Sequence, residues 1–142
     1  MTRISWMGKI VHEELSRSII GGAMDVLSEL KPGLDEKLYE RALAIELRNR
    51  VHAVVLQSSF PVFYEGEMIG NLIPDIIVDD LVIVDGKVVS AFSDTYSAQM
   101  LGYLAITGLK LALLLNFKNS SLTWKRMISP SAGETLPTDL RA

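Results

Sequence analysis

The stretch "PDIIVDDLVIVDGKVV", residues 74–89, combines acidic residues with a lysine in a way that can support metal-dependent chemistry. Side chains two apart on a strand point to the same face, so Asp85 and Lys87 emerge together if the strand is continuous. Asp75 lies on the preceding apolar run. Two carboxylates within about 5 Å repel each other, and Mg²⁺ relieves that repulsion because it prefers oxygen ligands. The spacing is compatible with hydrolysis of a phosphodiester, in which Lys87 would orient water and offset charge on the phosphate.

A second interpretation makes Asp85 and Gly86 the two central residues of a hairpin turn. Asp-Gly between apolar runs is the strongest short-range hairpin signal, because a type I′ turn needs positive φ at both central residues. Asp85 would then be a surface residue without chemistry, and Asp-x-Lys triplets are common as solvated surface charge. The residues alone leave both interpretations open.

The metal-site interpretation places a geometric requirement on the connection between the two strands. Partners on antiparallel strands have residue numbers with a constant sum, so Asp75 can face Asp85 or Lys87 only if that sum is even. The loop must then contain an odd number of residues, centred near Asp80, instead of a two-residue Asp79-Asp80 turn.

Two further pairs of polar residues have helical spacing. Glu36 and Tyr39, in "GLDEKLY", share one face of a predicted helix. Glu36 could equally stabilise the positive end of that helix's dipole, with Tyr39 packed and Gly33 acting as a cap. Gln99 and Tyr103 lie one turn apart on a later helix, where such a pair is more often structural than catalytic.

Whole-chain composition predicts one folded domain without a membrane span. The 142 residues are 49% hydrophobic and carry a net charge of −3, values typical of a globular protein of single-domain length. The mild acidity argues against an extended nucleic-acid coat and leaves room for a local basic groove. Cysteine is absent, which excludes thiolate metal sites and fits a cytoplasmic location. The N-terminal residues lack a signal-peptide pattern, and "LKLALLLNF" is too short to cross a bilayer.

Apolar periodicity predicts the elements that would position these residues. Three- and four-residue spacing predicts helices over residues 9–30, 34–50 and 95–108. Runs rich in Val and Ile predict strands over 53–59, 61–69 with a Glu65-Gly66 turn, 72–78, 81–89, 109–117 and 122–128. A long helix between two strands usually crosses to a parallel neighbour, so the order predicts an α/β (α+β) fold with a mixed sheet flanked by helices. A polar, flexible tail is expected over residues 129–142.

Four segments, in chain order, match a pattern known from bacterial proteins. They are "KPGLDEKLYERALAIELRNR", "PVFYEGEMIGNLIPDIIVDD", "LVIVDGKVV" and "AQMLGYLAITGLKLALLLNF". Together they closely resemble the GxxExxY family, which is assigned to the PD-(D/E)xK superfamily of restriction-endonuclease-like nucleases. The resemblance covers residues 9–128 and includes the motif formed by Gly33, Glu36 and Tyr39.

The resemblance implies a fold, a metal and a reaction. The fold is a single restriction-endonuclease-like domain over residues 1–128 with a mixed sheet of four or five strands. Mg²⁺ or Mn²⁺ would be bound by Asp75, Asp85 and the backbone carbonyl of Gly86. Lys87 matches the superfamily lysine. The implied activity is metal-dependent hydrolysis of nucleic acid, with DNA favoured over RNA.

The resemblance also implies supporting roles for residues on the helices. Glu36 matches the helix glutamate that assists the metal, with Tyr39 in the same motif. Gln99 and Tyr103 resemble a Gln-x-x-x-Tyr motif that positions nucleic acid or supports the site. Independently of the family, Trp124 near a predicted sheet edge suggests a possible homo-oligomer.

Three positions depart from the family pattern and, together with the acidic net charge, motivate an alternative function. Family members usually carry Glu-Leu-Lys where this chain has Asp85, Gly86 and Lys87, and a His expected three residues before Gln99 is Tyr96. The alternative is a weakened or inactive member that acts as a nucleic-acid or protein binding module. The step from Lys87 to Gln99 matches the family without an insertion, which favours the continuous strand.

Overall fold

The structure, a computed structural model, describes residues 10–132. Its helices are α1 (Glu13–Leu30), α2 (Glu36–Asn49) and α3 (Asp94–Thr107). Its strands are β1 (Val54–Leu56), β2 (Phe60–Tyr64), β3 (Glu67–Leu72), β4 (Ile76–Val78), β5 (Val82–Lys87), β6 (Leu111–Asn116) and β7 (Thr123–Ile128). Among these residues no helix combines the length and apolar character that a membrane span needs.

Five strands form one mixed sheet in the order β1-β4-β5-β6-β7. β5 and β6 are parallel because α3 carries the chain across, and the other neighbouring pairs are antiparallel. The predicted mixed sheet flanked by helices is therefore confirmed. β2 and β3 form a separate hairpin around the predicted turn, in which Glu65 and Gly66 have φ of 52° and 81°.

The sheet separates two apolar cores. Even-numbered residues of β4 and β5 pack with α1 and α2, whereas Ile77 and Ile83 belong to the core beneath α3. This alternation follows from the two-residue period of a strand. β6 is buried along its whole length, as expected for a central strand covered on both faces.

β5 runs unbroken through Gly86, so the hairpin interpretation of Asp85 and Gly86 is wrong. Each residue from Val82 to Lys87 pairs with a residue of β6. The reason is tertiary: neighbouring β6 supplies a complete ladder that outweighs the local turn preference of Asp-Gly.

The β4–β5 connection has the odd length that the metal site requires. The pairs Ile76–Val84 and Val78–Val82 are centred on Asp80. Three residues connect the strands, and two of them, Asp79 and Asp80, have positive φ of 52° and 55°. Continuing the register by one residue places Asp75 opposite Asp85.

The element boundaries differ from the predictions at the ends of the chain and in two strands. The strand predicted over 53–59 is only Val54–Leu56, and the one predicted over 72–78 is only Ile76–Val78, since Leu72 ends β3. α1 begins at Glu13, and residues 1–9 lie outside the described part. Most of the expected flexible tail, residues 133–142, also lies outside it. The first tail residues form a 3-10 turn, Pro130–Ala132, and the Ser129 N–H donates to the Lys110 carbonyl at 2.9 Å.

Candidate active site

The predicted carboxylates meet at the C-terminal end of β5. Asp85 is buried, and its Oδ1 lies 3.4 Å from Nζ of Lys87. Both residues project toward the α3 side of the sheet, because they alternate with Val84 and Gly86 along the strand. Asp75 precedes β4 at the same end of the sheet. The structure thus brings together the three residues that the spacing singled out.

Glu40 joins this group from α2, although sequence reasoning did not identify it. Carboxylate oxygens of Glu40, Asp75 and Asp85 all lie within 4.8 Å of one another. Glu40 is only 6% exposed and accepts a hydrogen bond from the Gly86 N–H at 3.4 Å. Acidic side chains from α2, from the residue before β4 and from β5 therefore lie close together.

Because Gly86 has no side chain, the side chain of Glu40 can pack directly against it. A Cβ at this position would lie 3.2 Å from Cγ of Glu40 and 3.3 Å from Cε2 of Phe117. A glycine inside a strand often marks such a close approach. This was the available sequence signal for a neighbouring functional side chain. The small residue that weakened the case for a working site is therefore needed for its geometry.

The backbone of Gly86 faces the same edge as Asp75. The Lys87 carbonyl accepts from the Phe117 N–H on the β6 side at 2.9 Å. Adjacent strand residues direct their backbone groups to opposite edges. The Gly86 carbonyl therefore points away from β6, toward the edge where Glu40 accepts its N–H. This direction is compatible with the predicted role of that carbonyl.

Asp75 is held by Gln57, a second residue that sequence reasoning missed. Nε2 of Gln57 donates to Oδ1 of Asp75 at 3.1 Å, and the Gln57 N–H donates to the Asp75 carbonyl at 3.1 Å. Gln57 has a positive φ of 57° in the loop after β1. No pattern in the sequence marks this contact, because it depends on a loop conformation.

Glu36 lies beside the cluster without belonging to it. Its Oε1 accepts a hydrogen bond from the Val88 N–H at 3.3 Å. Its negative charge contributes to a raised pKa of Asp85, after the larger effect of burial. Glu40, one helical turn further along α2, is the helix carboxylate within ligand distance of Asp75 and Asp85.

Tyr39 supports the connection between α1 and α2. Its side chain is fully buried and stacks on Phe117 with ring centroids 4.8 Å apart. Its hydroxyl donates to the Lys31 carbonyl at 2.5 Å and accepts from the Leu34 N–H at 3.1 Å. Direct contact with nucleic acid would need this buried ring to move, so the supporting role fits and the positioning role does not.

Residues of α3 form the other wall of the site. Nζ of Lys87 lies 4.7 Å from the ring centroid of Tyr96, at the position where the family pattern has His. Nε2 of Gln99 donates to the Tyr103 hydroxyl at 3.1 Å. Burial, and then the negative charge of Asp85, raises the pKa of Tyr103. Tyr96 thus contacts the predicted catalytic lysine, and Tyr103 lies within electrostatic reach of the carboxylates.

Asp85 and Glu40 have raised pKa values in this arrangement. Burial, opposed by Lys87, raises the pKa of Asp85 to about 6. Burial and the neighbouring Asp75 raise the pKa of Glu40 to about 8. Oδ1 of Asp85 is buried without a hydrogen-bond partner among residues 10–132. The ion pair with Lys87, at 3.4 Å, contributes one positive charge to this group. A divalent cation fits the donor set, because it would coordinate the buried Asp85 oxygen and offset the remaining repulsion.

A second constellation lies at the other end of β4. Ser18 Oγ is 2.7 Å from Nε2 of His52, and Nδ1 of His52 is 2.8 Å from Oδ2 of Asp79. These residue types form the triad of serine hydrolases. Ser18 sits in the interior of α1, where its backbone N–H is committed to the helix and cannot help stabilise an oxyanion. The chain of hydrogen bonds is structural.

Comparison with known proteins identifies the class to which this fold and site belong. A family model described as "PD-(D/E)XK nuclease superfamily" matches residues 13–127. The chain belongs to that superfamily. No curated protein matches it.

A solved structure, "Crystal structure of SSO0001", shares the fold with a TM-score of 0.53 at 12% sequence identity. The similarity covers 92% of this chain and 62% of that one. The chain therefore spans less than two thirds of the similar protein, and at this identity the likeness shows the fold alone.

Proposed function

We propose that this protein is a divalent-metal-dependent nuclease that hydrolyses phosphodiester bonds, with Glu40, Asp75 and Asp85 as its metal-binding carboxylates. The observation that carries the proposal is the convergence of their oxygens within 4.8 Å beside Lys87. Superfamily membership supports the reaction class. The buried Asp85 oxygen, which has no hydrogen-bond partner among the described residues, supports a cation-binding role for the cluster.

Each residue of the site has a defined task in this proposal. A bound Mg²⁺ or Mn²⁺ would polarise the phosphate and lower the pKa of water. Lys87 places its ammonium beside Asp85, where it can offset negative charge that develops on the phosphate. Glu36 supports the site from the first turn of α2, and the Gly86 carbonyl is an additional candidate metal ligand.

The finer assignments are also proposals. The Gly33, Glu36 and Tyr39 motif supports membership of the GxxExxY family within the superfamily. Resemblance to restriction-endonuclease-like enzymes favours DNA over RNA as the substrate, and the lack of cysteine fits a cytoplasmic location. Trp124, on β7 at one edge of the sheet, is 42% exposed. Self-association through that edge is a separate proposal that light scattering tests.

A cleavage assay tests the nuclease proposal. Purified wild type is incubated with single- and double-stranded DNA and RNA in Mg²⁺ or Mn²⁺, beside Asp75→Ala and Asp85→Asn. Asp80→Asn is the matched control: it removes an acid of the same hairpin that is exposed, at a positive φ that Asn tolerates. Cleavage by wild type and the control, but not by the site variants, is expected. Equal cleavage by wild type and Asp75→Ala would contradict the proposal.

The alternative binding-module function was motivated by Gly86 and Tyr96. Both positions contact the site. Gly86 leaves room for the Glu40 side chain, and the Tyr96 ring makes a cation–π contact with the Lys87 ammonium. Calorimetric titration with Mn²⁺ separates the two functions. Metal binding lost in Asp85→Asn, together with cleavage, supports the nuclease. Metal binding or nucleic-acid binding without cleavage by wild type supports the module.

A further inference from the structure

A cavity of about 170 Å³ opens beside the acidic site, on the side of α2. Glu40 and Asp75, two of the three clustered carboxylates, form part of its wall. The other charged residues that line it are Lys37 and Arg41. One small cavity therefore connects the candidate metal site with a pair of cations.

Lys37 and Arg41 occupy one face of α2. They are four residues apart and are therefore neighbours on the helix surface. Each directly follows a glutamate in the sequence, Glu36 or Glu40. Both residues are exposed, and their side chains make no hydrogen bond or ion pair with residues 10–132. Like charges at this spacing repel each other and destabilise a helix. Among the described residues, no carboxylate lies within ion-pair distance of either cation.

The neighbouring carboxylates restrict which anion can bind. An acidic peptide would be repelled by Glu40 and Asp75, which share the cavity with the cations. A nucleic-acid strand carries regularly spaced phosphates, so one phosphate can lie at the metal-binding carboxylates while a neighbouring phosphate contacts the cations. Leu56 and Gln57 complete an uncharged part of the lining, which suits the sugar between two phosphates.

We propose that this cavity is a phosphate-binding subsite for the nucleic-acid strand, with Lys37 and Arg41 contacting a backbone phosphate next to the one to be cleaved. The inference rests on the proposed nuclease function and deepens it by assigning the path of the strand. It also explains how a chain of net charge −3 can bind a polyanion: attraction is concentrated in one local groove and not spread over the surface.

Salt-dependent binding in EDTA tests the subsite without cleavage. Fluorescein-labelled single-stranded and duplex DNA and RNA of one sequence are titrated with full-length wild type and with Lys37→Gln/Arg41→Gln. Fluorescence anisotropy gives the affinity over a range of salt concentrations. The matched control is Arg17→Gln/Lys110→Gln, which removes the same charge from exposed positions on α1 and just before β6. Lys37→Arg/Arg41→Lys tests rescue by retained charge.

Loss of two phosphate contacts has a defined signature. The slope of log affinity against log salt concentration is expected to become shallower by roughly 1.8 for a duplex or 1.4 for a single strand. For a duplex, and with equal affinities at about 1 M salt, this slope difference corresponds to roughly sixty-fold weaker binding at about 0.1 M salt. The control pair and the charge-retaining pair are expected to keep the wild-type slope.

The outcomes separate this inference from the nuclease proposal. Equal slopes for Lys37→Gln/Arg41→Gln and the control pair, or no binding by wild type, would overturn the subsite. If the slope changes as expected but wild type does not cleave in Mg²⁺ or Mn²⁺, the subsite stands and the nuclease proposal fails. If wild type cleaves and the slope is unchanged, the nuclease proposal stands and the subsite fails.

Discussion

The two ends of β4 carry aspartates in opposite circumstances. At one end, Asp79 is fully paired: its Oδ2 meets His52 at 2.8 Å, and its Oδ1 accepts from the Ala53 N–H at 2.8 Å. At the other end, Asp75 stands beside Glu40 and Asp85, and Oδ1 of Asp85 has no hydrogen-bond partner in the described chain. Only the three residues Ile76–Val78 separate the two environments.

The difference teaches how to distinguish structural from functional polar clusters. Residue types alone would favour the wrong end, because Ser18, His52 and Asp79 match a well-known catalytic triad. Hydrogen-bond satisfaction gives the better criterion. A network in which each polar atom is hydrogen-bonded stabilises the fold. Three clustered carboxylates with one neighbouring ammonium and a buried oxygen that lacks a hydrogen bond destabilise it unless a ligand binds.

Asp85→Asn is expected to separate activity from stability at the acidic end. Cleavage should fall by more than about a hundred-fold, because even residues that only orient metal ligands cost 10–100-fold when changed. The free energy of unfolding should change little, since the substitution relieves repulsion from Asp75 but leaves the Lys87 ammonium without its ion-pair partner. Urea unfolding in EDTA beside a cleavage assay measures both. A large loss of stability would instead show that Asp85, like Asp79, has a structural role.

The stability of the metal-free protein should depend on pH through the same cluster. An acid whose pKa is raised on folding binds more protons in the folded state, so stability falls as pH rises through that interval. The interval runs from 4.5 to about 8 for Glu40 and from 3.8 to about 6 for Asp85.

Thermal unfolding in EDTA should therefore give a lower midpoint at pH 8 than at pH 5. Glu40→Gln should flatten the upper part of the profile, and saturating Mg²⁺ should reduce the dependence further, because the cation takes the place of protons. A wild-type profile that is flat or rises with pH would contradict the assignment of the raised pKa values.

His52→Ala is expected to have the opposite effect at the paired end. It leaves Ser18 and Asp79 without their shared partner, and leaving such groups unsatisfied costs about 1–3 kcal/mol. Cleavage by the remaining folded protein should stay near the wild-type rate. Denaturant unfolding and assays well below the melting temperature measure the two effects. A loss of cleavage without a loss of stability would show that the hydrogen-bonded network of Ser18, His52 and Asp79 has a catalytic role.

Gly86→Ala should weaken metal binding by displacing Glu40. The added Cβ would meet Cγ of Glu40 at 3.2 Å, and a roughly tenfold loss of Mn²⁺ affinity is expected from a disturbed ligand. Gly102→Ala is the control, because nothing lies within 4 Å of a Cβ there. Calorimetric measurement of Mn²⁺ affinity for Glu40→Ala and for the double variant Gly86→Ala/Glu40→Ala completes a double-mutant cycle. Additive losses would show that Gly86 acts independently of Glu40.

Tyr96→Leu should produce the smallest change. A cation–π contact at a partly exposed site contributes about 0.5–1 kcal/mol, so a two- to fivefold lower cleavage rate is expected. Tyr96→Phe keeps the ring and should keep the rate. Mn²⁺ affinity should be unchanged in both variants, because Tyr96 contacts Lys87 and not the carboxylates. Equal losses for Leu and Phe would instead point to the hydroxyl.

Strand periodicity and loop parity could be derived from the sequence because they are local rules. They placed Asp85 and Lys87 on one face and required the odd connection centred on Asp80. The hairpin at Asp85 and Gly86 also followed from a local rule. It failed because β5 pairs with β6, whose partner residues lie 29 positions further along the chain, as in Asp85–Leu114 (114 − 85 = 29).

Glu40 was missed because α2 presents two carboxylates, Glu36 and Glu40, on the same face one turn apart. Helical spacing cannot tell which turn reaches the strand, since that depends on how α2 docks on the sheet. Gly86 offered a clue when interpreted as a close approach instead of a weakness. Gln57 offered none, because its contact with Asp75 depends on a positive φ.

The site lies at the junction of the two cores on opposite faces of the sheet. Glu40 comes from the α1–α2 side, and Lys87 with its Tyr96 contact from the α3 side. Neither helical layer alone can assemble the site, so a cation that binds it stabilises the fully docked chain over partly opened forms. Amide hydrogen exchange should consequently slow in α2 and α3 together when the cation is added, although the two helices never share a core.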